Sequence, residues 1–409
     1  MKLSTFTLLL ATALVFTSTA TSFAGDLEPS AAPAATMKTL DQVEPAVPFS
    51  KDDLPLTITQ SGTYYLTESV SYTGAGTGTG NAAISIECDN VTIDLKGYTI
   101  NGSSNEKSSA CIYSDNFDNI IVKNGRIIAF TDYCVRIEGE SAANNRVENI
   151  TANYSDYPIV VGRSSRISGC TIFNGRLICL KADAYSTISD CIVFNSYGYS
   201  QSGINAGDYS TVKNCTVSFQ TGYGIFLNNN SQAINCSVKD CDTYGIYASA
   251  NSTVSTCSVD AAVGGTCIYS NGQCLMLDNS VFSGKIGLEL GYGSTARGNQ
   301  INTCTTGIDA YYRCSIDNNL LDDCSDGIVA RGLNSIKNNH ITYFTGDAIQ
   351  INQNTNVIEL NTITSSSSYA TGLEITGDDN LYLNNRISSA TTINITGSGN
   401  TNGGGNITF

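Results

Sequence analysis

A short apolar segment that begins with Gly-Ile or Gly-Leu recurs along the chain at a nearly constant spacing of 20 to 24 residues. The pair starts at positions 203, 224, 245, 287, 307, 327 and 372, and Cys267-Ile268 and Ala348-Ile349 take its place in two further units. A second marker keeps the same spacing and consists of cysteines followed by asparagines: Cys170, Cys191, Cys215, Cys236, Cys257, Asn279, Asn299, Asn319, Asn339, Asn361 and Asn385. Two markers in phase predict a stacked repeat, in which each unit buries its apolar face only against its neighbours.

Each unit contains short stretches in which apolar and polar residues alternate, as in Gly-Ile-Phe-Leu at 224–227. Alternation over about four residues is typical of a short strand with one buried face. A unit then passes through polar residues to a second alternating stretch, such as 233–238. Two or three strands per unit without helices predict an all-β parallel β-helix of about fifteen coils, since neither a hexapeptide period nor a leucine-rich pattern is present.

The asparagine column of the second marker has its own expected role. Asparagine tolerates left-handed backbone, and its amide can bond to the equivalent amide one coil away. We therefore expect these asparagines to occupy turns and to form a ladder.

Two segments near the start of the repeat region carry a family resemblance. They are Ile-Thr-Gln-Ser-Gly-Thr-Tyr-Tyr-Leu at 58–66 and Asn-Val-Thr-Ile-Asp-Leu-Lys-Gly-Tyr-Thr-Ile at 90–100. With the repeat itself, they resemble secreted right-handed parallel β-helix proteins of the pectate-lyase-like superfamily. The resemblance implies a single-stranded right-handed solenoid. It specifies no reaction, since that superfamily includes lyases, hydrolases, epimerases and non-catalytic binding proteins.

The chain divides into four predicted parts. Residues 1–24 look like a signal peptide of bacterial type, with Lys2, an apolar run and Ser-Phe-Ala before Gly25. Residues 25–53 are expected to form a leader and the start of a cap, 54–396 the β-helix, and 397–409 a glycine-rich tail. No run is long and apolar enough to predict a membrane span. The sequence thus predicts a secreted protein.

Charge and cysteine content narrow the possible partners and chemistry. The net charge is -15, with 21 basic residues, which disfavours a nucleic-acid partner. The cysteine count is 15, and five of these residues form one column of the repeat, in which adjacent side chains point in parallel. Buried free thiols are therefore the main expectation, with disulfides as the alternative. No Cys-x-x-Cys pair occurs and His340 is the only histidine, so no zinc site is predicted.

The outward positions next to the Gly-Ile pairs are the candidate binding surface. Side chains from successive coils line up there about 4.8 Å apart. Aromatic faces stack on sugar rings. The candidate substrate-binding residues are Tyr223, Tyr244, Tyr247, Tyr269, Tyr311 and Tyr312.

Carboxylates continue this surface towards the C-terminus, and the candidate catalytic residues are Asp326, Asp347 and Asp309 with the neighbouring Arg331. Paired carboxylates can act as acid and base in glycoside cleavage. The Asp-Gly-Ile at 326–328 faintly resembles the aspartate-bearing strands of polygalacturonase-type hydrolases, but the double aspartate and Gly-His-Gly of that pattern are missing. A lyase would instead use a base among Arg313, Arg331 and Lys337, with Ca²⁺ or arginine neutralising a uronate; no calcium motif supports the ion.

The sequence therefore predicts a secreted β-helix protein that binds an extracellular polysaccharide on the outer face of one parallel sheet. Cleavage of that polysaccharide, by a lyase or a hydrolase mechanism, stays open at this point. The alternative is a non-catalytic structural or surface-attachment protein.

Overall fold

The repeat folds into a parallel β-solenoid. The structure is a computed structural model and describes residues 46–74, 82–102, 109–196, 202–260, 264–365, 367, 369–389 and 391–409. The predicted signal peptide and most of the predicted leader lie outside these residues. Within them, no helix is long and apolar enough to cross a membrane.

One side of the solenoid is a parallel sheet of 16 strands, one strand per coil. The prediction of an all-β solenoid with about fifteen coils is thus confirmed. Its strands are Leu56–Ile58, Ala82–Ile86, Ala110–Asp115, Tyr133–Glu138, Tyr157–Val161, Ile178–Ala182, Ser202–Ala206, Tyr223–Leu227, Tyr244–Ala248, Thr266–Ser270, Ile286–Leu290, Thr306–Ala310, Asp326–Ala330, Asp347–Ile351, Thr371–Ile375 and Thr391–Ile395.

The remaining sides form a connected sheet of 31 strands. The long strands Ile121–Ile128 and Arg146–Ser155 connect its two sides, because each pairs with two shorter strands of a neighbouring coil. A short 3-10 helix, Lys51–Asp53, precedes the second strand of the chain. The other strands are Ala46–Phe49, Gly62–Leu66, Val70–Tyr72, Val91–Asp94, Thr99–Gly102, Arg166–Ser168, Thr171–Gly175, Thr187–Ser189, Ile192–Ser196, Thr211–Lys213, Thr216–Gln220, Gln232–Ile234, Ser237–Cys241, Thr253–Ser255, Ser258–Asp260, Leu275–Leu277, Ser280–Phe282, Thr295–Arg297, Gln300–Asn302, Ser315–Asp317, Leu320–Asp322, Ser335–Lys337, His340–Thr342, Val357–Glu359, Thr362–Thr364, Leu381–Leu383, Arg386–Ser388, Thr401–Asn402 and Ile407–Thr408.

The core follows from the alternation of side chains along each strand. The isoleucine or leucine of each Gly-Ile or Gly-Leu pair is fully buried, and so is the residue two positions later. The glycine itself is dictated by close packing: at Gly224, a Cβ atom would lie 2.5 Å from the carbonyl oxygen of Gly245 and from Cγ1 of Val238. Each coil therefore stacks directly on the next, with its other face left outward.

The asparagine column behaves partly as expected. Asn299, Asn319 and Asn339 are buried, and their amides form the predicted ladder: the Nδ2 group of Asn319 donates to Oδ1 of Asn339 at 3.0 Å. The prediction that these asparagines adopt left-handed backbone is wrong. The residue before each one takes that conformation, as Asn318 does at φ 55° and Asn338 at φ 55°, because the ladder requires the asparagine side chain to point inward.

Candidate functional site

Two columns of outward side chains cross the sixteen-stranded sheet. The strands pair in register, so the first and fourth residues of each strand lie next to their equivalents one coil away. The fourth-position column runs Asn205, Phe226, Tyr247, Tyr269, Glu289, Asp309, Val329, Gln350 and Glu374. The sequence order of this column is therefore also its spatial order.

Five aromatic side chains form a continuous cluster on this face, which we call the aromatic stack: Tyr223, Phe226, Tyr244, Tyr247 and Tyr269. The rings of Tyr247 and Tyr269 stack at 4.8 Å with an interplanar angle of 22°. Phe226 stacks on Tyr247 at 4.8 Å, and Tyr223 on Tyr244 at 5.6 Å. All five rings are half-buried, so each keeps part of its surface open to a ligand.

Three hydroxyl groups of the stack, those of Tyr244, Tyr247 and Tyr269, are held in the protonated form. Burial, followed by the neighbouring Tyr247 and Glu289, raises the pKa of Tyr269 to about 12. Burial also raises the pKa of Tyr244 and that of Tyr247. These hydroxyls can therefore donate hydrogen bonds at any ordinary pH, which suits recognition of sugar hydroxyls.

Two carboxylates follow the stack in adjacent coils of the same column. Glu289 pairs in register with Tyr269 on one side and with Asp309 on the other, at a strand spacing of about 4.8 Å. Burial, and then the charge of Asp309, raises the pKa of Glu289. Thr266 donates from Oγ1 to Oε2 of Glu289 at 3.3 Å. We call Glu289 and Asp309 the carboxylate pair.

Asp309 has a cationic partner that Glu289 lacks. Nη1 of Arg331 lies 3.3 Å from Oδ1 of Asp309, and the guanidinium of Arg331 sits 3.6 Å from the centroid of the Tyr311 ring. Burial raises the pKa of Asp309, and the charge of Arg331 opposes that rise. Among the described residues, no lysine or arginine forms an ion pair with Glu289. The pair thus combines one carboxyl group that favours protonation with one that is charge-paired.

Asp326 and Asp347 lie in the other outward column, one coil apart. The Asp326 carboxylate accepts a hydrogen bond from the backbone N–H of Asp347 at 3.0 Å. A Cβ atom at Gly346 would lie 2.2 Å from Oδ1 of Asp326, which explains why glycine stands where a second aspartate would complete the hydrolase-like pattern. Burial raises the pKa of Asp347. The carboxylate of Asp326 is thus already engaged in a hydrogen bond to the backbone of the next coil.

The remaining sequence candidates are dispersed. Tyr312 lies beyond the strand end, where its hydroxyl contacts Oε1 of Gln353. Arg313 sits over Tyr292 at 5.4 Å. Lys337 pairs with Glu359 at 3.2 Å on the thirty-one-stranded sheet. Of the basic residues considered for a lyase, only Arg331 contacts a carboxylate of the pair.

Sequence reasoning missed a charged cluster at the other end of the same face. Glu138 accepts from Nε of Arg136 at 2.9 Å and from Nζ of Lys181 at 3.0 Å. The Arg136 guanidinium lies over the Tyr113 ring at 4.9 Å. Upstream of residue 200 other residues replace the glycine of the repeat, as Cys134 does, and the outward column was followed only from Asn205 onward. The position of Arg136, two residues after Cys134, is the signal that could have found this cluster. Among the described residues, no group of three or more His, Cys, Asp or Glu side chains could hold a metal ion.

The sequence matches one family model. The model, described as a right-handed beta helix region, matches residues 82–259 and 204–335, which together span more than half of the chain. No curated protein is similar enough in sequence to count as a relative.

Solved structures resemble the fold at low identity. The Dettilon tailspike protein matches at 13% identity and a TM-score of 0.41, over 66% of this chain and 58% of that protein. An α-1,3-glucanase catalytic unit from Streptomyces thermodiastaticus matches at 12% identity and a TM-score of 0.42, over 88% and 68%. The tailspike of Escherichia coli bacteriophage HK620, solved with a pentasaccharide, matches at 13% and 0.43, over 83% and 72%. With such scores, these likenesses carry no argument about activity.

Proposed function

The chain belongs to the right-handed β-helix family, and we propose that it is an exported protein that binds a polysaccharide along the outer face of its sixteen-stranded sheet. The observation that carries the proposal is the aromatic stack. Its rings follow one another at 4.8 Å along the Phe226, Tyr247 and Tyr269 column. The half-buried rings stack on one another and present their edges outward, and Tyr247 and Tyr269 add protonated hydroxyls. The row therefore offers apolar contact and hydrogen-bonding partners to consecutive sugar rings.

Affinity electrophoresis through gels containing neutral or uronate polysaccharides tests binding. We expect the wild type to be retarded by at least one of them. The variant Tyr223→Ala/Tyr244→Ala/Tyr247→Ala should bind at least about tenfold more weakly, which corresponds to about 1.4 kcal/mol. Phe173→Ala/Phe194→Ala is the matched control, because it removes two exposed aromatic rings from the other sheet.

If the polysaccharide gels retarded the triple variant as strongly as the wild type, the proposed site would be wrong. Passage of the wild type through every gel would instead favour the non-catalytic structural or surface-attachment role.

A second function, hydrolysis of the bound polysaccharide, is favoured by the carboxylate pair. Glu289, protonated more readily than an exposed glutamate, is suited to donate its proton to the glycosidic oxygen as the C–O bond breaks. Asp309, charge-paired with Arg331 at 3.3 Å, is suited to accept a proton from the water that attacks the sugar carbon. The two carboxyl groups then exchange protons with solvent, and the cycle closes.

Release of reducing ends tests hydrolysis, read beside the absorbance of unsaturated products that a lyase would form. We expect Glu289→Gln/Asp309→Asn to lose at least about a hundredfold in rate, within the range of general acid–base catalysis. The sequence-based pair is tested by Asp326→Asn/Asp347→Asn with and without Ca²⁺. If only that second variant lost the release of reducing ends, the acid–base role would be assigned to Asp326 and Asp347.

A further inference from the structure

A cationic pocket lies on the thirty-one-stranded sheet, away from the outer face of the sixteen-stranded sheet. Its volume is about 400 Å³, and Arg146, Arg166, Lys213 and Tyr185 line it. Arg146 and Arg166 are in register on adjacent strands, so their side chains start about 4.8 Å apart. The floor is polar and internally satisfied: the buried Asn145 donates its backbone N–H to Oγ of Ser165 at 3.1 Å.

The positive charges of this pocket are only partly balanced. Nε of Arg146 lies 3.6 Å from Oε1 of Glu148. Among the described residues, neither Arg166 nor Lys213 forms an ion pair with a carboxylate. Asp190 is a nearby carboxylate, and its pKa is lowered first by the Asn214 and Ser189 hydrogen bonds and only then by Lys213 and Arg166.

Like charges on adjacent strands destabilise a sheet. In a chain with 36 acidic and 21 basic residues, a cluster of cations with so few carboxylate partners requires an explanation. An anion bound between them would remove the repulsion.

An aromatic wall borders the cations. Tyr185 and Tyr209 stack at 5.1 Å with their planes within 4° of parallel, and both side chains are exposed. The guanidinium of Arg163 lies 5.9 Å from the centre of the Tyr185 ring. Guanidinium groups bind carboxylate, sulfate and phosphate oxygens through paired hydrogen bonds, and the exposed edge and hydroxyl of Tyr185 can contact a sugar ring. The two features together match a sugar that carries an oxyanion.

We propose that this pocket is a second glycan site, which binds the carboxylate or sulfate group of an anionic polysaccharide between Arg166 and Lys213 and contacts the same sugar with the exposed edge and hydroxyl of Tyr185. The site is independent of the aromatic stack. It lets an acidic protein hold an acidic polymer, which the net charge of -15 alone would repel.

Binding to immobilised polygalacturonate, dextran sulfate and neutral dextran tests the proposal. We expect the wild type to bind at least one of the two anionic polymers through this pocket, and which one it binds distinguishes the carboxylate from the sulfate. Arg166→Gln/Lys213→Gln should bind that polymer at least about tenfold more weakly. Binding should also weaken in about 1 M NaCl, where the Debye length is about 3 Å.

The control variants isolate the pocket. Lys51→Gln/Arg297→Gln removes the same charge from exposed positions elsewhere and should bind like the wild type. Tyr185→Asn/Tyr209→Asn should bind more weakly yet fold normally, since the same turn carries Asn230 and Asn251 in later coils, with the same left-handed backbone. Circular dichroism verifies folding.

Three results with the wild type, the pocket variant and the charge control would each overturn the inference. They are wild-type affinity in Arg166→Gln/Lys213→Gln, equal weakening in Lys51→Gln/Arg297→Gln, and failure of the wild type to bind either anionic polymer. If only Tyr223→Ala/Tyr244→Ala/Tyr247→Ala lost binding to the anionic polymer, that binding would belong to the aromatic stack. This result would also reject the pocket. Different results would therefore reject the pocket and the aromatic stack.

Discussion

Glu289 is the residue through which pH should act on the outer face. Burial and the neighbouring Asp309 raise its pKa in the folded chain. A carboxyl group with a raised pKa favours folding while protonated; this contribution is present at low pH and is lost as pH rises through the folded-state pKa. We therefore expect Glu289→Gln to raise the melting temperature at pH 7 and to leave it nearly unchanged at about pH 3, below the ordinary glutamate pKa.

Differential scanning fluorimetry across this range measures the effect. Glu68→Gln is the control, because Glu68 is exposed, and its melting temperature should follow the wild type throughout. A lower melting temperature for Glu289→Gln at pH 7 would mean that the charged carboxylate stabilises the fold, and would remove the case for Glu289 as a proton donor.

The sequence placed most outer-face residues correctly but not their chemistry. Alternation fixes which side chains point outward, so the order of Tyr247, Tyr269 and Asp309 could be predicted. The raised pKa of Glu289 depends on burial and on a carboxylate one coil away. The hydrogen bond from the Asp347 N–H to Asp326 depends on the path of one turn. Neither follows from a pattern of residue types.

At the scale of elements, the asparagine ladder is the feature that joins consecutive coils at one turn. Oδ1 of Asn319 accepts the backbone N–H and the Nδ2 group of Asn299, at 3.0 and 2.9 Å. Asn319→Ala removes this acceptor within a buried column. Each buried group left without a partner costs about 1–3 kcal/mol, so we expect the free energy of unfolding to fall by at least that amount.

Urea denaturation measures the loss, with Asn338→Gly as the matched control. Asn338 is the exposed neighbour with left-handed backbone, and glycine preserves that conformation. We expect a much smaller change there. Equal destabilisation by the two variants would contradict a stabilising role for the buried ladder.

The strands were more predictable than the turns. Strand positions follow from alternation within a repeat that fixes the spacing of successive coils, and the buried isoleucines follow from the same rule. The turn conformation depends on which of two neighbouring residues points inward. The sequence cannot decide this when both are asparagine, as at Asn318-Asn319 and Asn338-Asn339.

For the whole molecule, the state of the cysteines decides whether disulfides help to hold the coils of the solenoid together. The 15 cysteines are thiols rather than disulfides, and all but Cys88 are buried. Burial raises the pKa of Cys134 and that of Cys241 to about 12 each, which keeps these thiols unreactive. We expect titration with a thiol reagent to find close to 15 groups in the unfolded, unreduced protein and very few in the folded one.

Close to one thiol in the unfolded, unreduced protein would mean that disulfides staple the coils. The buried thiols would then contribute as cross-links rather than as small apolar side chains.

Some features of the whole molecule could be predicted from the sequence, whereas others depend on how the coils stack. Repeat spacing predicted the solenoid and the outward columns of its sixteen-stranded sheet. The cationic pocket escaped notice because its members come from four coils and from two different positions of the repeat, Arg166 at the start of one strand and Lys213 at the end of another. Such a cluster becomes visible only when the coils are stacked.

Hydroxyl-radical footprinting with mass spectrometry, performed with and without a saturating neutral polysaccharide that retards the protein, shows where the polysaccharide binds. We expect protection of Tyr223, Tyr244, Tyr247 and Tyr269, while Tyr343 and Tyr369, which are 68% and 89% exposed, stay fully reactive. Unchanged labelling of the four stack tyrosines beside protection elsewhere would contradict polysaccharide binding on the sixteen-stranded sheet.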